Sequence, residues 1–92
     1  MTFEWDENKN RINIQKHGTS FHEVQDAFID PKRIIIKDVK HSNVEERFFC
    51  LGKTEDGIVT VRFTMRNNKI RIIGAGYWRE GKERYEEENN IH

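Results

Sequence analysis

Over residues 59–66, VTVRFTMR, an apolar residue alternates strictly with Thr or Arg. Successive side chains of a strand point to opposite faces, so Val59, Val61, Phe63 and Met65 line one side and Thr60, Arg62, Thr64 and Arg66 the other. The pattern predicts a strand with one face in the core and one cationic, hydroxyl-bearing face. Phe3–Trp5 reads as a short edge strand, residues 34–39 and 47–53 as two more, and residues 70–75 as the last. Glu55-Asp56-Gly57 and Asn67-Asn68 supply tight turns on either side of the alternating run. Asp6 is placed to cap a helix of about ten residues that ends at Gly18, whose missing Cβ suits a left-handed position. Ser20 opens a second helix. With Glu23 three residues on it forms a capping box, Phe21, Val24, Ala27 and Phe28 form its apolar stripe, and Asp30-Pro31 stops it. A final short helix over residues 81–89 presents Tyr85.

The predicted order is β-α-α-β-β-β-β with a short C-terminal helix, an α+β class. Both early helices precede an antiparallel meander, so they are expected to pack on one face of a four- to five-stranded antiparallel sheet. The face carrying Arg62 and Arg66 is then left open. Residues 1–92 form a single domain. With 35% hydrophobic residues the chain can build only a modest core.

The chain is neutral overall, with 16 basic and 16 acidic residues, which excludes coating of nucleic acid by bulk charge. The charge is unevenly spread. Between Thr60 and Lys82 stand six cations, Arg62, Arg66, Lys69, Arg71, Arg79 and Lys82, against the single anion Glu80, with Tyr77 and Trp78 among them. Cations interleaved with stackable rings suit a single-stranded polynucleotide. Cys50 is the only cysteine, so no intrachain disulfide is available and a reducing compartment is expected. The polar N-terminus and the short apolar runs offer neither a signal peptide nor a membrane span, and a cytoplasmic location is expected.

Beyond pattern, certain words of the sequence fall in a telling order. Phe3-Glu4-Trp5-Asp6-Glu7-Asn8-Lys9, Asn13, Lys16-His17-Gly18, Ala27-Phe28, Asp30, His41-Ser42 with Glu45-Glu46-Arg47, Asp56-Gly57, Phe63-Thr64 with Arg66, and Arg71-Ile72-Ile73 together resemble the BrnT toxins of bacterial type II toxin-antitoxin pairs. The resemblance runs nearly the length of the chain. It implies a RelE-like fold, a ribonuclease that inhibits translation, and a BrnA-like antitoxin that covers the toxin in a hetero-oligomer. Operator DNA would be reached only through that antitoxin. One departure stands out: many such toxins carry Ile-Ser-Ala-Arg after the last strand, whereas this chain has Ile73-Gly74-Ala75-Gly76 and then Tyr77-Trp78-Arg79. Arg79 is the candidate substitute for the missing Arg, and a weakly cleaving or inactive binding module is the alternative reading.

RNA cleavage requires a base for the 2′-OH proton, cations where charge grows on the phosphorane, and an acid for the departing 5′-oxygen. It does not require a metal, and neither the spacing of His17 and His22 nor the lone Cys50 matches a metal-ligand pattern, so no metal or cofactor is expected. Arg62, Arg66 and Arg79 are the candidate catalytic cations, because a planar guanidinium holds two phosphate oxygens at once. Glu46 and His41 are the candidate acid and base, with the assignment between them open. Arg47, Lys53, Arg71, Tyr77, Trp78 and Lys82 are the candidate RNA contacts. Lys16-His17-Gly18 reads instead as a helix end, where cations complement the dipole. No helix is basic enough to read a DNA groove, which makes a self-sufficient repressor a poor fit.

Overall fold

The structure, a computed structural model, describes residues 1–91. Strand β1 (Phe3–Trp5) leads into α1 (Glu7–His17), then a 3-10 helix at Glu23–Ile29. Next come β2 (Ile34–Lys37), a single 3-10 turn at Val39–His41, β3 (Arg47–Thr54), β4 (Gly57–Arg66), β5 (Lys69–Gly76) and α2 (Arg79–Glu88). The five strands form one sheet in the order β1-β5-β4-β3-β2. β2 to β5 are an antiparallel meander, as the turn chemistry demands. Asn67 and Asn68 both take positive φ (50° and 63°) in the β4–β5 turn, a conformation asparagine tolerates well.

The sheet is mixed rather than wholly antiparallel. β1 lies parallel to β5, with Phe3, Glu4 and Trp5 opposite Ile70, Arg71 and Ile72. A three-residue strand carries no signal of its partner's direction; the first and last strands meet only because the meander leaves β5 as a free edge. The expected second helix is also corrected. Its capping box forms as read, with Ser20 N–H donating to Glu23 Oε1 at 2.9 Å and Glu23 N–H to Ser20 Oγ at 3.2 Å. The segment nevertheless winds as a 3-10 helix. Phe21, Val24 and Ala27 recur every three residues, which aligns them in a helix of three residues per turn. The winding sits flush on β3, where a Cβ on Gly52 would collide with the Ala27 carbonyl oxygen.

Phe21, Val24, Ala27 and Phe28 cover one side of the sheet and bury Cys50, Val59, Val61, Phe63 and Ile72. Phe28 meets Phe3 and Phe63 edge-on, at ring separations of 5.3 and 5.0 Å. Each such fully buried side chain contributes roughly 1.5–3 kcal/mol. Burial pushes the Cys50 thiol up to about 12, so it remains a protonated core residue. Trp5 packs edge-on against Phe21 and His22, a partly buried core position as its place beside a helix cap suggests.

α1 does not lie on that face. Asp6 caps it by accepting from Asn8 N–H at 2.8 Å, and Gly18 closes it at φ 65°. Its buried residues are Asn10 and Asn13, while Ile12 and Ile14 are exposed. The helix runs along the β5 edge beyond the end of β1, and the Asn13 amide donates to the Ala75 carbonyl (2.9 Å) and accepts from Ala75 N–H (3.2 Å). One side chain thereby completes the missing strand pairing.

α2 packs on the opposite face, the one expected to be open. Gly81 lies against Thr60 and Leu51; a Cβ there would collide with Thr60 Oγ1. The buried Tyr85 hydroxyl donates to Asp30 at 2.6 Å, and Asn89 donates to the Lys32 carbonyl at 3.0 Å, fastening the helix to the segment after the 3-10 helix. Among the described residues no helix is long and apolar enough to cross a membrane.

Candidate active site

Strand register determines which side chains share the cationic face. On β4 they are Thr60, Arg62, Thr64 and Arg66, flanked by Leu51, Phe49 and Arg47 on β3 and by Gly76, Gly74, Arg71 and Lys69 on β5. Two covers narrow this face. α2 overlies Thr60 at one end, and at the other Thr64 Oγ1 donates to the Glu46 carbonyl at 2.7 Å, which lays residues 42–46 over the sheet. Both threonines are buried as a result, and the open region is a strip between the covers with Arg62 in it.

The turn that provides the second cover is tightly fastened. Asp38 N–H donates to the Arg47 carbonyl at 2.7 Å. Ser42 Oγ donates to the Asp38 carbonyl at 2.6 Å and accepts from Arg47 N–H at 3.0 Å. This geometry returns His41 and Glu45 to the start of β3. His41 Nδ1 stands 2.9 Å from a carboxylate oxygen of Asp38, whose side chain is buried while the imidazole is half exposed. A carboxylate at Nδ1 holds the ring in one orientation and leaves Nε2 as the nitrogen able to exchange a proton.

Glu45 grips Arg66 with two parallel hydrogen bonds, from Nε at 3.1 Å and Nη2 at 3.0 Å, and Arg47 Nη2 lies 3.8 Å from the same carboxylate. The Arg66 hydrogen bonds hold the Glu45 carboxyl below its ordinary range, and Glu45 in turn raises Arg66, so both are firmly charged. Arg47 Nε is buried without a hydrogen-bond partner among the described residues. His41, Lys40, Glu45, Arg47 and Arg66 together line a hollow of about 490 Å³.

Of the residues read from the sequence, His41, Arg47 and Arg66 meet in this hollow. Arg62 stands beside it on the strip and, unlike Arg47, Arg66 and Arg71, has no carboxylate partner among the described residues. Glu46 is not in the hollow: its carboxylate pairs with Lys37 at 3.1 Å on the outer edge, and its backbone carbonyl is what reaches the sheet. Arg71 pairs with Glu4 across the β1–β5 edge at 3.0 Å. Lys53 is six residues along β3 from Arg47, about 20 Å away. Tyr77 is tied through its hydroxyl to Thr54 (2.6 Å) and Glu23 (3.3 Å).

Arg79 and Lys82 are exposed on α2 and do not line the hollow. Trp78 covers Gly76, where a Cβ would fall 2.6 Å from the indole, and meets His17 edge-on at 5.2 Å. The indole occupies the space any side chain at position 76 would need. The sequence reading missed Asp38, Lys40 and Glu45. Asp38 had a legible signal, a carboxylate three residues before His41 in a turn; Glu45 was hidden by its neighbour Glu46, since only the path of the turn decides which of the two faces inward.

An imidazole oriented by a carboxylate is suited to move a proton, and paired guanidiniums are suited to accumulate where anionic charge develops. Among the described residues no three His, Cys, Asp or Glu side chains group as a metal site. Comparison with individually curated proteins gives no match. Residues 5–82, well over half of the chain, match the family described as the ribonuclease toxin BrnT of type II toxin-antitoxin systems. The chain thus belongs to the BrnT family of ribonuclease toxins.

Proposed function

We propose that this chain is a metal-independent endoribonuclease whose reaction takes place at the His41–Arg47–Arg66 hollow. The observation that carries the reading is the Asp38–His41 contact at 2.9 Å placed beside two converging guanidiniums. The 2′-hydroxyl of the substrate attacks the adjacent phosphorus and the 5′-oxygen leaves, so the RNA supplies its own nucleophile. His41 serves one of the two proton transfers. Arg66 and Arg47 hold the non-bridging oxygens, with a phosphate taking the place Glu45 occupies in the free protein; a bidentate guanidinium accepts either anion in the same geometry. Arg62 extends the cationic track along the RNA backbone.

The protein acts in the cytoplasm, where cleavage inhibits translation. A BrnA-like antitoxin neutralises it in a hetero-oligomer and supplies the operator contacts. Expression of the chain alone should arrest growth, and purified protein should cleave RNA in EDTA. His41→Ala and Arg66→Ala should each abolish cleavage while leaving the unfolding transition in place. Cleavage that survives both substitutions would sink this assignment. The engagement of Arg66 and Arg47 by Glu45 favours a second reading, a weakly cleaving module that binds RNA and antitoxin; it prevails if the wild-type chain arrests nothing and leaves total RNA intact.

A further inference from the structure

The cationic face holds a second feature besides the hollow. Between α2 and the sheet lies a largely apolar cleft of about 320 Å³, floored by Phe49, Leu51 and Thr60, walled by Trp78 and Gly81, bounded on the edge strand by Ile36, and lined also by the charged Glu80 and Arg84 of α2. We infer that this cleft seats one unstacked base of a single-stranded RNA whose neighbouring phosphate lies in the hollow. The inference rests on the proposed ribonuclease reading and adds a base-recognition site to it.

The placement follows from register. Phe49 is two residues from Arg47 on the same face of β3, about 7 Å along the strand, and it is directly opposite Arg62 on β4. An aromatic floor, a cation beside it on the neighbouring strand and the proton-transfer cluster two residues along β3 therefore share one face. A polynucleotide presents a base, a connecting phosphate and the reacting phosphate within the same short reach. The two rings of the cleft are accessible in the free protein: Trp78 is 40% exposed and Phe49 is half-buried. A base has an apolar face to cover them, and stacking of this kind tolerates any base while excluding a paired one.

Arg62, opposite Phe49 at the edge of the cleft floor, favours an occupant that carries an anion on the sheet side. Of the arginines on the sheet itself, Arg47 and Arg66 are matched by Glu45 and Arg71 by Glu4, and Arg84 in the cleft lining is matched by Glu88, whereas Arg62 has no carboxylate partner among the described residues. The volume is near the small end of the range for ligand sites, roughly 300–1,000 Å³, and suits one planar ring system better than a helix of a protein partner.

The test compares binding of two labelled strands by fluorescence anisotropy. One is a short 2′-O-methyl RNA, which lacks the nucleophile and stays intact; the other has the same backbone without bases. Trp78→Ala should lower affinity for the base-bearing strand about five- to 150-fold and leave the abasic strand unchanged. Trp78→Phe should retain most of the affinity. Ile36→Trp, which fills the cleft from the edge strand and removes no ring, should weaken the base-bearing strand alone, and Arg62→Ala should weaken both strands. If Trp78→Ala and Ile36→Trp change neither strand, or both equally, while Arg62→Ala weakens both, the cleft is no base site although RNA binding stands. The cleft is equally excluded as a base site if the two cleft variants disturb only association with a protein partner. If the wild-type protein binds neither strand, the ribonuclease reading fails and the inference with it.

Discussion

Replacing Asn13 by Ala tests how the sheet edge is completed. β1 pairs with β5 only as far as Ile72, and beyond it, among the described residues, the outer edge of β5 has no strand beside it. The Asn13 amide stands in, donating to the Ala75 carbonyl at 2.9 Å, accepting from Ala75 N–H at 3.2 Å and donating to the Thr19 carbonyl at 2.9 Å. Asn13 is 8% exposed and Ala75 fully buried, so water has little access to replace these bonds. The three bonds are worth about 1 kcal/mol net each, and with little water to replace them the orphaned backbone partners raise the loss by up to about 1 kcal/mol more. Asn13→Ala should therefore destabilise by about 3–4 kcal/mol, a large share of the roughly 5–14 kcal/mol available to a domain of this size. The melting temperature should fall by about 12–30 °C. Urea unfolding followed by tryptophan fluorescence and far-UV circular dichroism gives the free energy. Ile12→Ala on the exposed side of the same helix is the control and should change stability by no more than about 0.5 kcal/mol. A loss below about 1 kcal/mol for Asn13→Ala would overturn this account, since it would mean that the edge tolerates water in place of the amide.

Glu45→Gln removes the carboxylate that competes with phosphate for Arg66 and Arg47. Affinity for single-stranded RNA should rise, and the log–log salt slope should steepen by about 0.7 if one more phosphate is engaged; weaker binding would make Glu45 a support for the arginines instead. Gly76→Ala places a methyl group 2.6 Å from the Trp78 ring, so indole emission should shift as the ring is displaced, and the Gly76→Ala/Trp78→Ala double variant should regain the stability lost in the single one. Asp30 is pushed up by burial but pulled further down by hydrogen bonds from Tyr85 and from the N–H groups of Lys32 and Lys53, ending below its ordinary 3.8. A depressed folded-state value means that its stabilisation is present above pH 3.8 and is lost as pH falls through the lower folded value. The difference in urea midpoint between wild type and Asp30→Asn should then shrink as the pH is lowered from about 5; a constant difference would contradict the linkage.

Features written in short-range chemistry were legible in the sequence. Alternation placed Val59, Val61 and Phe63 in the core and Arg62 and Arg66 outside, although Met65, at the end of the run, is half exposed where the core stops; Gly18 took the left-handed position, and Ser20 and Glu23 capped each other. The candidate site was legible in part. His41, Arg47 and Arg66 could be named because His and Arg types announce proton transfer and phosphate contact wherever they stand. Arg79, Lys53 and Lys82 were drawn in by the same types and lie elsewhere, because charge type carries no distance.

Local chemistry along the chain is enough to set which segments are strands, where the backbone turns, which side chains of each strand face the core, and which family the protein resembles. These follow from period-two alternation, capping and turn residues, all acting over a few positions. Long-range packing was needed for the parallel seat of β1, the use of Asn13 as a surrogate strand, the side on which α2 lies, and the choice of Glu45 over Glu46 as partner of the arginines. Each of those depends on which backbones approach across tens of residues. A carboxylate finds a guanidinium, and an aromatic cleft forms beside a cation, only once the chain has folded back on itself.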